Sequence, residues 1–244
     1  MSNERVITVN DKDYTIRQLR DGALKDEDLS GVDMQKKDLS AATFRRSKLV
    51  GANFSHCDLR EVDFTGADLT GANFNHAECT QASFEGAILV GAQLRCAVLD
   101  EANLVGAKMR GALLNHASMR QTWVKNTDLE NAWLAGVDLS VIGFDVDDLE
   151  RKIITNIVML DGANLSDAKL AGMNLSGCDL SGLIMIGCDM SKCLLMGASL
   201  EGSILIGANL TDVDLSRCNT EGANLANIIT NNPKQKNEVK GCIA

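Results

Sequence analysis

The chain has 244 residues, 45% of them apolar but only 4% aromatic, with 21 Gly, a single Pro and a formal charge of −9. The charge is concentrated: residues 1–20 carry +1 and 231–244 carry +2, which leaves −12 on 21–230 and argues against direct nucleic-acid or anionic-membrane binding, in favour of solubility or a basic partner. No N-terminal apolar segment and no 18-residue apolar stretch is present, so neither a signal peptide nor a membrane span is expected. Eight Cys then read as free thiols of a reducing, cytoplasmic protein, although export without a cleaved signal would leave the same sequence.

In chain order, Val6-Ile7-Thr8-Val9 predicts a strand, Asn10–Asp13 a turn, and Tyr14–Leu24 a short helix or turn. Residues 1–20 thus form a small N-terminal unit. From Leu24 to Leu149 every fifth residue is uncharged and almost always Leu, Phe or Met. Two residues before each centre sits a small residue, as in the unbroken run Ala67, Ala72, Ala77, Ala82 to Ala117, and Asp or Asn recurs immediately before it. The pattern returns from Leu165 to Leu225 with its frame moved by one residue, so a one-residue bulge or short loop is expected within 150–163. Residues 164–230 form the second run, and 231–244, opening Asn-Asn-Pro, read as a flexible tail.

A period of five fits neither the 3.6 of a helix nor the 2.0 of a strand. It fits a chain that turns a corner every five residues and points two side chains of each five inward. Gly31, Gly51, Gly71, Gly91 and Gly111 recur every 20 residues, as one corner column of a four-sided coil would. Phe44, Phe54, Phe64, Phe74 and Phe84 recur every ten, which places Phe on opposite walls.

Ala-Asp-Leu-Thr-Gly at 67–71 and Ala-Asn-Leu-Val-Gly at 102–106 resemble the A(D/N)LXX consensus of the pentapeptide-repeat family, and the resemblance extends over about 21–229. It implies an all-β fold, a right-handed quadrilateral β-helix of about ten coils, with 1–20 as its N-terminal cap. One contiguous rod is expected. Its exposed first coil needs that cap, because an open edge invites stacking.

Catalysis is not expected. No phosphate-binding loop or nucleophile set is present, and a rod filled with Leu leaves no pocket. No cofactor is implied. His56, His76, Cys96 and His116 form one column two residues after their centres. Imidazole and thiolate are zinc or copper ligands, but a straight column does not converge on a tetrahedral site. Cys57, Cys178, Cys188, Cys193 and Cys218 occupy the small inward position and Cys79 a centre, leaving Cys96 and Cys242 accessible.

Two outward features suggest binding. The wall of Leu39, Leu59, Cys79, Leu99, Met119 and Leu139 carries Asp38, Asp58, Glu61, Glu78, Asp100, Glu101 and Asp138 against Arg60 and Arg120, a net −5. Ile184, Ile186, Ile204 and Ile206 occupy places usually held by Asp, Asn, Ser or Thr, and Leu194 and Met196 repeat this on the opposite wall. Trp123 and Trp133 also fall outward, and exposed Trp is a frequent interface anchor. The expected function is a non-enzymatic rod that binds another protein, with a homodimer through the isoleucine patch as one form of it. The alternative that the resemblance implies is an acidic DNA mimic that binds DNA gyrase or topoisomerase and protects against quinolones.

Overall fold

The computed structural model describes residues 6–9, 11–124, 126–139 and 163–232. β1 (Val6–Val9) pairs antiparallel with β2 (Lys12–Thr15), so Lys12 and Asp13 belong to a strand rather than to the expected turn. α1 (Ile16–Arg20) follows at once, opened by a capping box in which the Thr15 hydroxyl accepts from the Gln18 N–H and the Gln18 side chain from the Thr15 N–H. Val9 and Leu19 are buried, and the Leu19 carbonyl accepts from the Thr43 N–H. The cap is thereby bonded to the coil beneath it.

From there the chain is a right-handed quadrilateral β-helix. Parallel bridges join each residue preceding a centre to the one 20 positions later, Asp33 to Asn53 to Asn73, on all four sides. Each corner is a turn closed by the centre's carbonyl, as in Cys57 N–H to Phe54 O at 3.1 Å. The residue two after the centre adopts a left-handed φ: Gly51 has +66° and His56 +58°.

The repeated residue types follow from this geometry. Asp or Asn before a centre accepts the N–H two residues on, for example Thr65 N–H to Asp63 at 2.9 Å and Ser181 N–H to Asp179 at 3.0 Å, capping a donor that the turn would leave exposed. The small position admits Ala, or a short polar side chain that bonds the preceding coil: Ser47 to Leu24 O at 2.6 Å, Thr127 to Leu104 O at 2.8 Å, and the Cys193 thiol to Leu170 O at 3.0 Å. Phe44, Phe54, Phe64, Phe74 and Phe84 interlock across the interior, stacked within a wall (Phe64–Phe84, 5.2 Å) and edge-on between walls (Phe64–Phe74, 5.7 Å).

Trp133 pairs with Asn164 and Asp138 with Lys169, so this coil takes 31 residues where the others take 20. Eleven extra residues, not one, produce the change of frame. Residues 150–162 of the expected boundary and the centres Phe144 and Leu149 lie outside the described residues, as does the tail from 233. Because the insertion is eleven residues long, the isoleucine-bearing wall continues the wall of Phe54 and Phe74. A second irregularity lies lower down. Leu194 and Asp214 are not bridged, Leu195 N–H does not reach Asp214 O, and Gly197 N–H bonds to Arg217 O, one residue past the regular partner.

Candidate protein-interaction surface

The acidic wall is partly neutralised by its own side chains. Asp58 is held by Arg60 through Nε and Nη2 at 2.8 and 2.5 Å, and those bonds keep its carboxyl below the usual carboxylate range. Asp100 is almost buried, at 9% exposure, and accepts from Arg120 Nε at 2.8 Å, the Arg120 N–H at 3.0 Å and the Ser118 hydroxyl at 2.6 Å. Lys169 of the following rung lies 3.5 Å from Asp138. With it the wall carries seven carboxylates against three cations, −4 rather than −5. Glu101 accepts from Gln81 at 2.8 Å and Glu78 from Thr80, while Glu61 is exposed and Asp38 half-buried.

His56, His76, Cys96 and His116 stand exposed in one corner column, each with a left-handed φ between 55° and 59°. The rings of His56 and His76 lie flat on each other, 4.9 Å apart and 5° from parallel, so their nitrogens sit side by side instead of facing one point. His116 leans over Gly136, where a Cβ would collide with its ring. Among the described residues no group of three or more His, Cys, Asp or Glu is placed to hold a metal ion.

Five cysteines lie where packing places them. Burial pushes the thiols of Cys57 and Cys178 up to about 11 and that of Cys193 to about 12. It also raises Cys188 and Cys79. Cys218 is half-buried, its thiol pushed up to about 11 by the same cause, and Cys96 is exposed. Cys242 lies outside the described residues.

The apolar surface is more distinctive. Ile184 and Ile204 are bridged neighbours on one wall, and Ile186 and Ile206 flank them on the far side of the buried centres Met185 and Leu205. Ile184 is 37% and Ile186 41% exposed; Ile204 and Ile206 are half-buried. Trp133, 55% exposed, stands in the same column with only Asn164 between it and Ile184. Trp123 does not join this surface. It is half-buried on the opposite wall, above Asn174, Leu194 and Met196, and the last two are each 59% exposed. Below them the unbridged rung opens a groove lined by Asp212, Asp214, Ser216 and Arg217.

Sequence reasoning missed the alignment of Trp133 with the isoleucines. A change of frame by one residue is compatible with an insertion of one, six or eleven residues, and each turns the second half onto a different wall. Only the pairing across the 31-residue coil distinguishes them.

These features define a class: a four-walled β-helical repeat rod with a filled interior, whose distinguishing chemistry is all on its outer columns. The chain belongs to the pentapeptide repeat family, whose model matches eight copies over residues 38–75, 77–115, 160–195 and 193–229, more than half of the sequence. A search of curated proteins finds no match. Among solved structures, the chain is similar to HetL, a pentapeptide repeat protein involved in heterocyst differentiation regulation in the cyanobacterium Nostoc sp. strain PCC 7120. The identity is 28%, over 88% of this chain and 92% of that one, with a TM-score of 0.35. It is also similar to a trypsin-treated variant of QnrB1, a plasmid-mediated fluoroquinolone resistance protein (16%, over 90% and 97%, TM-score 0.40). A third likeness is to a pentapeptide repeat protein of the Arabidopsis thaliana thylakoid lumen (29%, over 52% and 74%, TM-score 0.29). Among the described residues no helix is long and apolar enough to cross a membrane.

Proposed function

We propose that the protein is a non-enzymatic interaction rod that binds another protein through the wall bearing Trp133, Ile184, Ile186, Ile204 and Ile206. One observation carries this reading. Large apolar side chains replace the usual polar residues of this wall at Trp133 and, one Asn164 rung further on, at the stacked Ile184 and Ile204 with Ile186 and Ile206 beside them, at 37–55% exposure for Ile184, Ile186 and Trp133. Solvent exposure of such a contiguous patch is unfavourable unless a partner covers it. The interior supports the same reading, because among the described residues it is packed with the buried centres and small inward side chains. The direct test places a photo-crosslinking amino acid at position 184 of the protein in its own cells, with Ser40 on another wall as control. Protein adducts at 184 and none at 40 are expected; adducts at neither would remove the reading.

The acidic-mimic alternative draws on the formal charge of −9 and the rod shape. Duplex DNA carries about one charge per 1.7 Å, several-fold denser than this rod, and the pairing of Asp58, Asp100 and Asp138 lowers the field further. A gyrase supercoiling titration with and without a fluoroquinolone decides it. Inhibition or drug rescue at low micromolar protein would establish the mimic, and inertness at large excess would retire it.

A further inference from the structure

The apolar wall has a shape and a rim that specify more than a protein partner. From Leu113 through Trp133, Asn164, Ile184 and Ile204 to Asn224 the column runs six rungs, about 24 Å at strand spacing. The neighbouring column on the same wall is Asn115, Ala135, Ser166, Ile186, Ile206 and Ala226, so no position on this stretch of wall is charged. Its corners are mostly glycine, with Gly111, Gly182, Gly202 and Gly222 on one side and Gly136, Gly187 and Gly207 on the other. The first edge is open beside the isoleucines, whereas on the second His116 and Asp167 share the corner column and lean over Gly136 and Gly187. The result is a flat neutral strip whose strands span about 10 Å.

Beyond those glycine corners both flanks are acidic. Asp179, Glu201 and Glu221 lie on one side and Asp189 on the other, where Asp167 stands in the corner column itself; the cations around the strip are Lys169, held by Asp138, Arg110, held by Glu130 at its upper end, and Lys192 one corner further round. Among the described residues none of these five carboxylates has an ion-pair partner; each meets neutral groups at most, as Glu201 and Asp189 do with Asn219 and Asn209 at 3.0 Å. This contrasts with the upper rod, where Asp58, Asp63, Asp100 and Asp128 all face arginines.

On the interaction-rod reading above, we infer that this strip docks an amphipathic α-helix of the partner, lying along the rod axis, with an apolar seam flanked on both sides by Lys or Arg. A helix is about 10 Å wide and rises 1.5 Å per residue, so about 16 residues cover the strip's length. The seam meets Trp133, Ile184 and Ile204, and basic side chains on either shoulder reach over the glycine corners to the unpaired carboxylates. Those same rims disfavour a second copy of this chain, because two-fold packing of the strips would set acidic flank against acidic flank.

The test uses full-length protein carrying Trp123→Phe, so that Trp133 reports alone. It is titrated with an 18-residue Leu/Lys amphipathic helix, a Leu/Glu twin, and a Ser/Lys peptide without the seam. The Leu/Lys helix should bind with a blue shift of Trp133 emission, at least tenfold more tightly than either control. Ile204→Asp should weaken it tenfold or more; this outward column holds Asp33, Asn53, Asn73, Asn164 and Asn224, so a short polar side chain is compatible with the fold, as circular dichroism would check. Glu201→Lys with Asp179→Lys should weaken it at least fivefold and raise affinity for the Leu/Glu twin. Equal binding of the Leu/Lys and Leu/Glu helices, or indifference to Ile204→Asp, would overturn the inference. A sedimenting dimer dispersed by Ile204→Asp, without helix binding, would overturn it in favour of self-association. The crosslinking experiment at position 184 decides the broader reading independently of either result.

Discussion

Asp179 shows what the residue before each centre contributes. Its carboxylate accepts from the Ser181 side chain and N–H, and those bonds hold its pKa below the ordinary carboxylate value of 3.8. A group whose folded pKa is depressed adds stability above its unfolded pKa and loses it as the pH falls through the folded value. Asp28 and Asp214 are lowered by the same contacts from Ser30 and Ser216. The rod should therefore lose stability as pH drops below about 4. Asp179→Asn keeps the acceptor oxygen without the charge. Urea midpoints at pH 7 and pH 3 should show the variant close to the parent at neutral pH and less acid-sensitive. The thiols provide a second residue-scale check. In a Cys242→Ser background, Ellman's reagent at pH 8 should titrate Cys96 rapidly in the native protein, and the buried thiols, raised to about 11 or above in Cys57, Cys178 and Cys193, only on unfolding. Rapid reaction of several thiols in the native state would contradict the packing assigned to them.

At the scale of the coil, the phenylalanine interlock and the open rung are the informative elements. Phe64 is fully buried and touches four other rings, Phe44 and Phe84 stacked and Phe54 and Phe74 edge-on. Phe64→Ala should cost about 3–5 kcal/mol by the usual cavity cost. Phe64→Leu should cost about 1 kcal/mol, since Leu is the commonest centre and keeps most of the volume. Denaturant midpoints of the two variants measure the difference. The Leu195 amide lacks the Asp214 carbonyl that the regular register would supply, whereas Leu175 N–H bonds to Leu194 O at 2.8 Å and Leu205 N–H to Asn224 O at 2.8 Å. Leu195 should therefore exchange its amide hydrogen faster than Leu175 and Leu205. Protection equal to its neighbours' would show that the rung closes in solution.

The whole molecule is a stack in which each coil bonds only to those above and below it. Stability in such a solenoid is a sum over coils and their interfaces, so unfolding is expected to start from an end. The phenylalanine-filled coils from Phe44 to Phe84 should exchange last. Much of this architecture was legible in the sequence, because a period of five places the centres, the small inward residues and the Asp or Asn of each turn by purely local chemistry. The 20-residue coil was legible too, from the glycine column, and so was the stacking of Ile184 on Ile204, which lie one coil apart.

Other features depend on contacts that repeat only once per coil. Pairing of Asp100 with Arg120 is such a contact, and it turns a wall that reads as strongly acidic into a partly neutralised one. The insertion matters most. Sequence determines its length only modulo five, since any whole number of pentads preserves the frame. The wall on which the second half emerges depends on that length modulo 20. Pairing of Trp133 with Asn164 selects eleven residues. A one-residue bulge would have set the isoleucines beneath Trp123, on the other side of the rod. The sequence by itself determined that this protein is a pentad-built rod with an apolar patch. Only the tertiary structure decided that Trp133 and the acidic flanks share that patch, because backbone pairing between coils, not the local repeat, sets the rotation of one half on the other.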